Sequence, residues 1–77
     1  SIAVDRLYRG HGIADLAVEF MITRLKSQNV KVIKLHVRSD NKHAIALYER
    51  HGFKLSGTEN GFYTDGSTAS VYSREMV

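Results

Sequence analysis

The sequence predicts a mixed α/β fold with the element order β-α-β-α-β-β. Two segments carry apolar residues at helical spacing, and four short strand-like stretches alternate with or follow them, separated by glycine and asparagine turn signals. A helix between the first two strands makes those strands parallel, with a right-handed crossover. The last two strands are expected to form an antiparallel hairpin. Because the chain of 77 residues has no linker or repeat, residues 1–77 are predicted to form one domain.

The first strand is followed by a glycine turn in which a helix begins. The strand residues are Ile2, Ala3 and Val4, and the turn reads Tyr8-Arg9-Gly10-His11-Gly12-Ile13-Ala14. Such a turn binds phosphate in many proteins, because backbone N–H groups and the positive end of the helix dipole face the anion. Two glycines alone are more often only a tight turn. The segment lacks both the Gly-Lys-Ser/Thr of a Walker loop and the three spaced glycines of a dinucleotide fingerprint.

The first helix is predicted from Gly12 onward, with Asn29 as its C-terminal stop. Its apolar residues recur at the spacing i, i+3, i+4, i+7, i+8, i+12, which predicts a single apolar face. These residues are Ile13, Leu16, Ala17, Phe20, Met21 and Leu25.

The rest of the chain predicts a strand, a helix and a hairpin. The second strand covers residues 30–38, and the cluster Ser39-Asp40-Asn41 caps a helix over residues 42–50. Gly52 ends this helix, and Phe53 packs back onto it. Strands over residues 53–59 and 68–76 follow, with turn signals at Asn60-Gly61 and Asp65-Gly66. An open strand edge in so small a sheet favours pairing with another chain, either in a homodimer or with a missing N-terminal half.

Composition excludes several classes of site. The chain has no cysteine, so it holds no disulfide or thiolate metal site, which agrees with a cytoplasmic location. No apolar run is long enough to span a membrane. The net charge of +3 is interspersed and suits an anionic ligand as well as nucleic acid, and we expect no nucleic-acid partner. His11, His43 and His51 lack metal-ligand spacing and are predicted to be surface residues, with His11 near phosphate.

Two motifs carry a resemblance to a known family. Arg9, Gly12 and Ala14 match the signature Gln/Arg-x-x-Gly-x-Gly/Ala. A second signature, Asn-x-x-Ala-x-x-Leu/Phe-Tyr-x-x-x-Gly-Phe, is matched by Asn41, Ala44, Leu47, Tyr48, Gly52 and Phe53. Over essentially its whole length the chain resembles the C-terminal half of the acyl-CoA N-acyltransferase fold of the GCN5-related N-acetyltransferases (GNAT). The segment Leu35-His36-Val37-Arg38 resembles most closely the subgroup that acetylates protein N-termini, including the ribosomal-protein type.

The resemblance implies acetyl-CoA as co-substrate and no metal. It places the pyrophosphate on the backbone of the glycine turn, and the pantetheine and thioester along the first strand. The cofactor-binding residues so implied are Ile2, Ala3, Val4, Arg9, Gly10, His11, Gly12, Ile13, Ala14 and Asn41. Asn41 would hydrogen-bond the pantetheine arm, although a simple helix cap explains this residue equally well.

The same resemblance implies roles for three further residues. Tyr48 would protonate the departing thiolate of CoA, the alternative being a core aromatic residue. His36 would be the base that deprotonates the amine, often through a water, because an unperturbed histidine titrates near neutral pH. The alternative is an exposed strand histidine. Tyr63 would contact the substrate, or would simply be an aromatic residue in a hairpin turn.

The sequence therefore predicts an N-acetyltransferase that transfers acetyl from acetyl-CoA to a primary amine by direct attack in a ternary complex. The amine is expected to be a protein or peptide N-terminus. A complete family member is longer and carries much of its acceptor pocket in the N-terminal half. The alternatives are a catalytically idle half-domain for CoA binding or dimerisation, and an acetyltransferase for a small-molecule amine.

Overall fold

The computed structural model describes residues 12–76 and contains two helices and three strands in that range. Their order is α1 (Ile13–Ser27), β1 (Val32–Arg38), α2 (Lys42–Arg50), β2 (Lys54–Glu59) and β3 (Ala69–Glu75). This order confirms the predicted α-β-α-β-β succession. The strand predicted at residues 2–4, its parallel pairing and the turn up to His11 lie outside the described residues.

The sheet has the strand order β1-β3-β2, so the last strand lies in the middle. Both pairings are antiparallel, which confirms the predicted hairpin of β2 and β3 and adds a pairing between β1 and β3. His36 lies opposite Val71, and Leu55 opposite Tyr72, with an irregularity in β2 between Leu55 and Gly57. Nine residues connect β2 to β3, and they lead the chain from the outer strand β2 back into the middle of the sheet, next to β1.

Helix α1 is terminated by Asn29, the residue that the sequence predicts as its C-terminal stop. Asn29 has a φ of 65°, and its N–H donates to the Lys26 carbonyl. The N–H of Val30 donates to the Leu25 carbonyl, so the last helical turn is closed by a left-handed residue in a Schellman motif.

The second helix has the bounds and the caps that the sequence predicts. The side-chain Oδ1 of Asn41 accepts a hydrogen bond from the Ala44 N–H at 3.1 Å, which caps the first turn. Gly52 has a φ of 86°, and the N–H of Phe53 donates to the Tyr48 carbonyl at 3.0 Å. The rings of Tyr48 and Phe53 meet edge to face at 5.6 Å, the hydrophobic contact that accompanies this type of cap.

One apolar cluster joins the two helices to a single face of the sheet. Its buried members are Val18, Ile33, Val37, Phe53, Tyr72 and Met76. Residues alternate between the two faces of a strand, so Lys34 and His36 of β1 lie on the opposite face, where both are exposed. The two faces of the sheet therefore differ in kind, one apolar and covered by helices, the other polar and open.

The predicted packing face of α1 is wrong in part. The residues that pack on the sheet are Val18, Met21, Ile22 and Leu25, whereas Leu16 and Phe20 are 62% and 67% exposed. Ile13 and Ala17 are also exposed. The helix carries two apolar stripes of the same spacing, and the sheet in the described range covers only one of them.

An ionic cluster joins α1 to the end of α2. Asp15 accepts hydrogen bonds at 3.2 Å from both Nε and Nη2 of Arg50, and its Oδ1 lies 2.7 Å from Nε2 of His51. These hydrogen bonds, that of Arg50 foremost, lower the pKa of Asp15. The His51 side chain is only 13% exposed, so the prediction that it is a surface residue is wrong.

Candidate functional site

A cavity of about 420 Å³ lies where β1 ends and α2 begins. It is lined by Ala14, His36, Val37, Arg38, Asn41, His43, Ala44, Leu47, Tyr48 and Tyr63. Five of these residues, Ala14, His36, Asn41, Tyr48 and Tyr63, are site residues expected from the sequence, and they come from two helices, a strand and a loop. The structure thus brings together residues that are up to 49 positions apart.

The start of α1 borders this cavity through Ala14. Gly12 has a φ of 73°, supplies no side-chain cap, and has space around it, because an added Cβ would meet nothing within 4 Å. The first N–H groups of a helix have no partner within the helix, so this end is suited to an anionic group. Gly12 and Ile13 do not line the cavity. The other expected binding residues, Ile2, Ala3, Val4, Arg9, Gly10 and His11, lie outside the described residues.

Asn41 caps the N-terminus of α2. Helix capping is one of the two roles predicted for this residue, the other being a contact with pantetheine. The cap uses only Oδ1. Among residues 12–76, the side-chain Nδ2 has no hydrogen-bond partner, so it can donate to a ligand in the cavity. The cap and the predicted contact with pantetheine are therefore compatible, and the contact stays a prediction.

Tyr48 is half-buried, and its ring rests against Phe53. Within the described range its hydroxyl makes no hydrogen bond, although the residue lines the cavity. The hydroxyl of Tyr72, by contrast, donates to Glu49 at 3.4 Å, and burial together with Glu49 raises the pKa of Tyr72. Of these two tyrosines, Tyr48 is the one whose hydroxyl can serve a ligand.

His36 is held by two side chains that the sequence did not single out. Its Nε2 lies 3.2 Å from Oε1 of Glu59, and its ring stacks on Phe62 with the centroids 4.1 Å apart and the planes 8° from parallel. When Nε2 donates to the carboxylate, the lone pair of the neutral ring is on Nδ1. The side chain of His36 is 35% exposed, so it is accessible to a ligand although its orientation is fixed by Glu59 and Phe62. Glu59 could not be found from sequence spacing, since its approach depends on β3 lying between β1 and β2.

Tyr63 belongs to a tight turn that is attached to β1 by Arg38. The guanidinium carbon of Arg38 lies 4.5 Å from the centre of the Tyr63 ring, and Nη1 lies 3.0 Å from Oδ2 of Asp65. Hydrogen bonds from Ser67, and then that from Arg38, lower the pKa of Asp65 to about 2, so this carboxylate is ionised throughout the neutral range. Arg38 was visible in the sequence as the last residue of the Leu35–Arg38 segment, yet it was not predicted to belong to the site.

His43 is exposed and lines the cavity, whereas His11 lies outside the described residues. Within residues 12–76, no group of three His, Cys, Asp or Glu side chains is arranged to hold a metal ion. None of the helices in this range has the length and hydropathy that a membrane span requires.

Comparison with known proteins gives consistent results. A family model described as the acetyltransferase (GNAT) family matches residues 1–53. The chain is 40% identical, over 99% of its length, to an N-alpha-acetyltransferase of Saccharolobus solfataricus, and covers 46% of that protein. It is 38% identical, over 92% of its length, to the ribosomal protein bS18-alanine N-acetyltransferase of Escherichia coli (strain K12), and covers 49% of it. The chain thus spans about half the length of these curated relatives.

Solved structures agree with the sequence matches. Ard1 from Thermoplasma volcanium superposes with a TM-score of 0.88 at 27% identity, over 95% of this chain and 49% of that one. The NatC complex bound to Gag peptide and CoA superposes with a TM-score of 0.87 at 30% identity, over 92% of this chain and 45% of that one. The family model covers more than half of the sequence, and these folds agree with it. The chain therefore belongs to the acetyltransferase (GNAT) family.

Proposed function

We propose that the chain carries the acetyl-CoA half of an N-acetyltransferase whose acceptor is the amino group of a peptide or protein N-terminus. The observation that carries the proposal is the cavity onto which the Tyr48 and His36 side chains both open. The N-alpha-acetyltransferase and the bS18-alanine N-acetyltransferase among the relatives support this choice of acceptor. The NatC structure, which contains both a peptide and CoA, supports the choice of co-substrate.

In the proposed reaction the acceptor nitrogen attacks the thioester carbonyl directly. The new C–N bond forms as the C–S bond breaks, and the chain contains no cysteine that could carry the acetyl group in between. His36 takes the proton of the attacking amine, directly or through a water, and Tyr48 gives a proton to the departing thiolate. The start of α1 supports binding of the pyrophosphate, and the free amide of Asn41 supports binding of the pantetheine arm.

A second proposal is a CoA-binding or dimerisation module without turnover. It is favoured by the coverage of only about half of each curated relative, because acceptor-binding elements can lie in the other half. An acetyltransferase for a small-molecule amine is the third candidate, and it differs from the first only in its acceptor. The cytoplasmic location and the homodimer stay predictions.

Replacing Tyr48 by Phe tests the leading proposal. We expect kcat to fall about 100-fold, because a general acid contributes on this scale, while the affinity for acetyl-CoA measured by calorimetry is unchanged. Tyr72→Phe is the matched control: it also removes one phenolic hydroxyl, but from the core, and should leave kcat unchanged.

The possible outcomes separate the proposals. Turnover that survives Tyr48→Phe would contradict the role of this tyrosine as the acid. Saturable acetyl-CoA binding by the unmodified chain, with no turnover of any peptide or small amine, would favour the binding module. A folded chain that does not bind acetyl-CoA would exclude both.

A further inference from the structure

Through its guanidinium group, Arg38 makes three contacts, an ion pair, a hydrogen bond and a cation–π contact, and all three are with one loop. Its Nη1 pairs with Asp65 and donates to the hydroxyl of Ser67, and its guanidinium group lies over the Tyr63 ring. Arg38 is the last residue of β1, so these contacts join the loop between β2 and β3 to the far edge of the described sheet. No other arginine or lysine among residues 12–76 forms an ion pair with this loop.

The part of the loop that Arg38 contacts is itself a closed turn. The N–H of Tyr63 donates to the Ser67 carbonyl at 3.2 Å, and the N–H of Gly66, with a φ of 84°, donates to the Tyr63 carbonyl at 2.9 Å. Asp65 Oδ1 accepts from both the N–H and the hydroxyl of Ser67. The turn is therefore internally ordered. Next to it, the N–H of Ser39 donates to the Thr68 carbonyl at 3.0 Å, so Arg38 supplies the side-chain part of the attachment of this loop to β1.

The same turn continues as a row of aromatic rings toward His36. Tyr63 meets Phe62 edge to face at 5.0 Å, and Phe62 stacks on His36 at 4.1 Å. Arg38 and His36 lie on the same face of β1, two residues apart, and the rings bridge them. Of these rings, His36 and Tyr63 line the cavity, so the contact of Arg38 with Tyr63 positions the part of the cavity wall that Tyr63 forms.

We infer that Arg38 is a positioning residue for the acceptor: it sets the place of Tyr63 in the cavity wall, without taking part in proton transfer. The inference rests on the proposed function. A peptide acceptor extends beyond its amino group and needs this wall, whereas a small amine that occupies only the reacting position needs it less. Arg38 thereby contributes to the preference for peptides over small amines.

Arginine suits this place better than lysine. Its planar guanidinium group can stack on the Tyr63 ring and at the same time donate to a carboxylate and a hydroxyl, whereas an ammonium group offers a point charge without a stacking plane. We therefore expect Arg38→Lys to restore only part of what Arg38→Met loses.

Steady-state kinetics of the full chain test the inference. Arg38→Met should raise the KM for a peptide acceptor about tenfold, because small displacements of substrate-positioning groups have effects of this size. The kcat and the KM for acetyl-CoA should be nearly unchanged. The KM for a small amine such as ethylamine should change much less. Arg50→Met is the matched control, because Arg50 also pairs with an aspartate but lies outside the cavity, and it should leave the peptide KM unchanged.

A second variant removes the carboxylate from the ion pair between Arg38 and Asp65. Asp65→Asn should reproduce the effect of Arg38→Met, and the double variant should add little to either single change. NMR of 13C-labelled tyrosine should show the Tyr63 ring resonances displaced by Arg38→Met and not by Arg50→Met, which provides a readout that does not require activity.

The outcomes distinguish this inference from the proposed function. If the unmodified chain acetylates a peptide but Arg38→Met has the kinetics of Arg50→Met, the inference fails and the proposed function stands. A fall in kcat at unchanged peptide KM would also overturn it, because Arg38 would then act on the chemistry. If the unmodified chain shows no turnover with any acceptor, the proposed function fails and the inference fails with it.

Discussion

At the scale of single residues, neighbours decide which histidine and which tyrosine can do chemistry. His36 and His51 both lie within hydrogen-bond distance of a carboxylate oxygen. The side chain of His51 is 13% exposed and joins two helices, whereas that of His36 is 35% exposed and borders the cavity. A carboxylate beside an accessible imidazole fixes the ring tautomer, and a stacked phenyl ring limits its rotation. These contacts give His36 a defined orientation that a surface histidine lacks.

Substituting His36 tests its proposed role as the base. We expect His36→Ala to lower kcat/KM for a peptide acceptor about 100-fold, the usual contribution of a general base, with unchanged acetyl-CoA binding. Glu59→Gln should cost less, because the amide oxygen can still accept the hydrogen bond from Nε2. Lys34→Ala is the control, since Lys34 lies two residues earlier on the same exposed face of β1. If His36→Ala and Lys34→Ala behaved alike, His36 would not be the base.

At the scale of elements, the residues that follow the helices determine where each helix ends. A left-handed residue follows both helices, Asn29 after α1 and Gly52 after α2. Position 52 requires glycine for a second reason: a Cβ here would lie 3.1 Å from Nε of Arg74. That Nε donates to the His51 carbonyl at 2.8 Å, so the arginine cannot move aside without weakening a hydrogen bond that satisfies the end of α2.

Alanine at Gly52 measures this requirement. A left-handed non-glycine residue costs about 1–2 kcal/mol, and weakening the Arg74 hydrogen bond adds about 1 kcal/mol to the loss in the free energy of unfolding. Gly61→Ala is the matched control, because Gly61 has a similar φ of 67° and nothing within 4 Å of an added Cβ. Urea unfolding of both variants gives the comparison. Equal losses for the two variants would show that Arg74 gives way freely.

At the scale of the whole molecule, one small core supports both helices and the sheet. Phe53 is 2% exposed and lies within this cluster, whereas Phe20 is 67% exposed on the uncovered stripe of α1. A chain of this size seldom gains more than about 3–5 kcal/mol from its core, so it tolerates little loss. The two phenylalanines therefore allow a direct comparison of buried and uncovered apolar surface.

Truncation to alanine should cost much stability at Phe53 and little at Phe20. Phe53→Ala removes about 3–5 kcal/mol and should leave the chain largely unfolded at 25 °C by circular dichroism. Phe20→Ala should change the free energy of unfolding by less than about 0.5 kcal/mol, because the ring is mostly in water already. A large loss from Phe20→Ala would indicate that the second stripe of α1 is covered in solution.

Local signals in the sequence predicted the helices and strands well, but they predicted less well which surfaces pack against one another. The bounds of α2 follow from Asn41 and Gly52, two residues adjacent to the helix whose effect is local. The packing face of α1 does not follow, because two apolar stripes of equal spacing cannot be ranked without knowing what covers each. The places of Ala14, His36, Asn41, Tyr48 and Tyr63 around one cavity agree with the sequence motifs. Glu59 and Arg38 escaped prediction because their contacts depend on the strand order.

The central place of β3 has a consequence for how the chain is synthesised. Val32 pairs with Glu75 and Lys54 with Ser73, so neither outer strand in the described range has a partner within the sheet until the last strand exists. During translation both helices can form early, but β1 and β2 can join one described sheet only after residues 69–75 have left the ribosome. The pairing of β1 with β3 joins residues distant in sequence and therefore forms slowly, and an unpaired strand is prone to aggregate in the interval. We therefore expect a nascent chain arrested before Ala69 to expose the edges of β1 and β2 that pair with β3 in the folded protein.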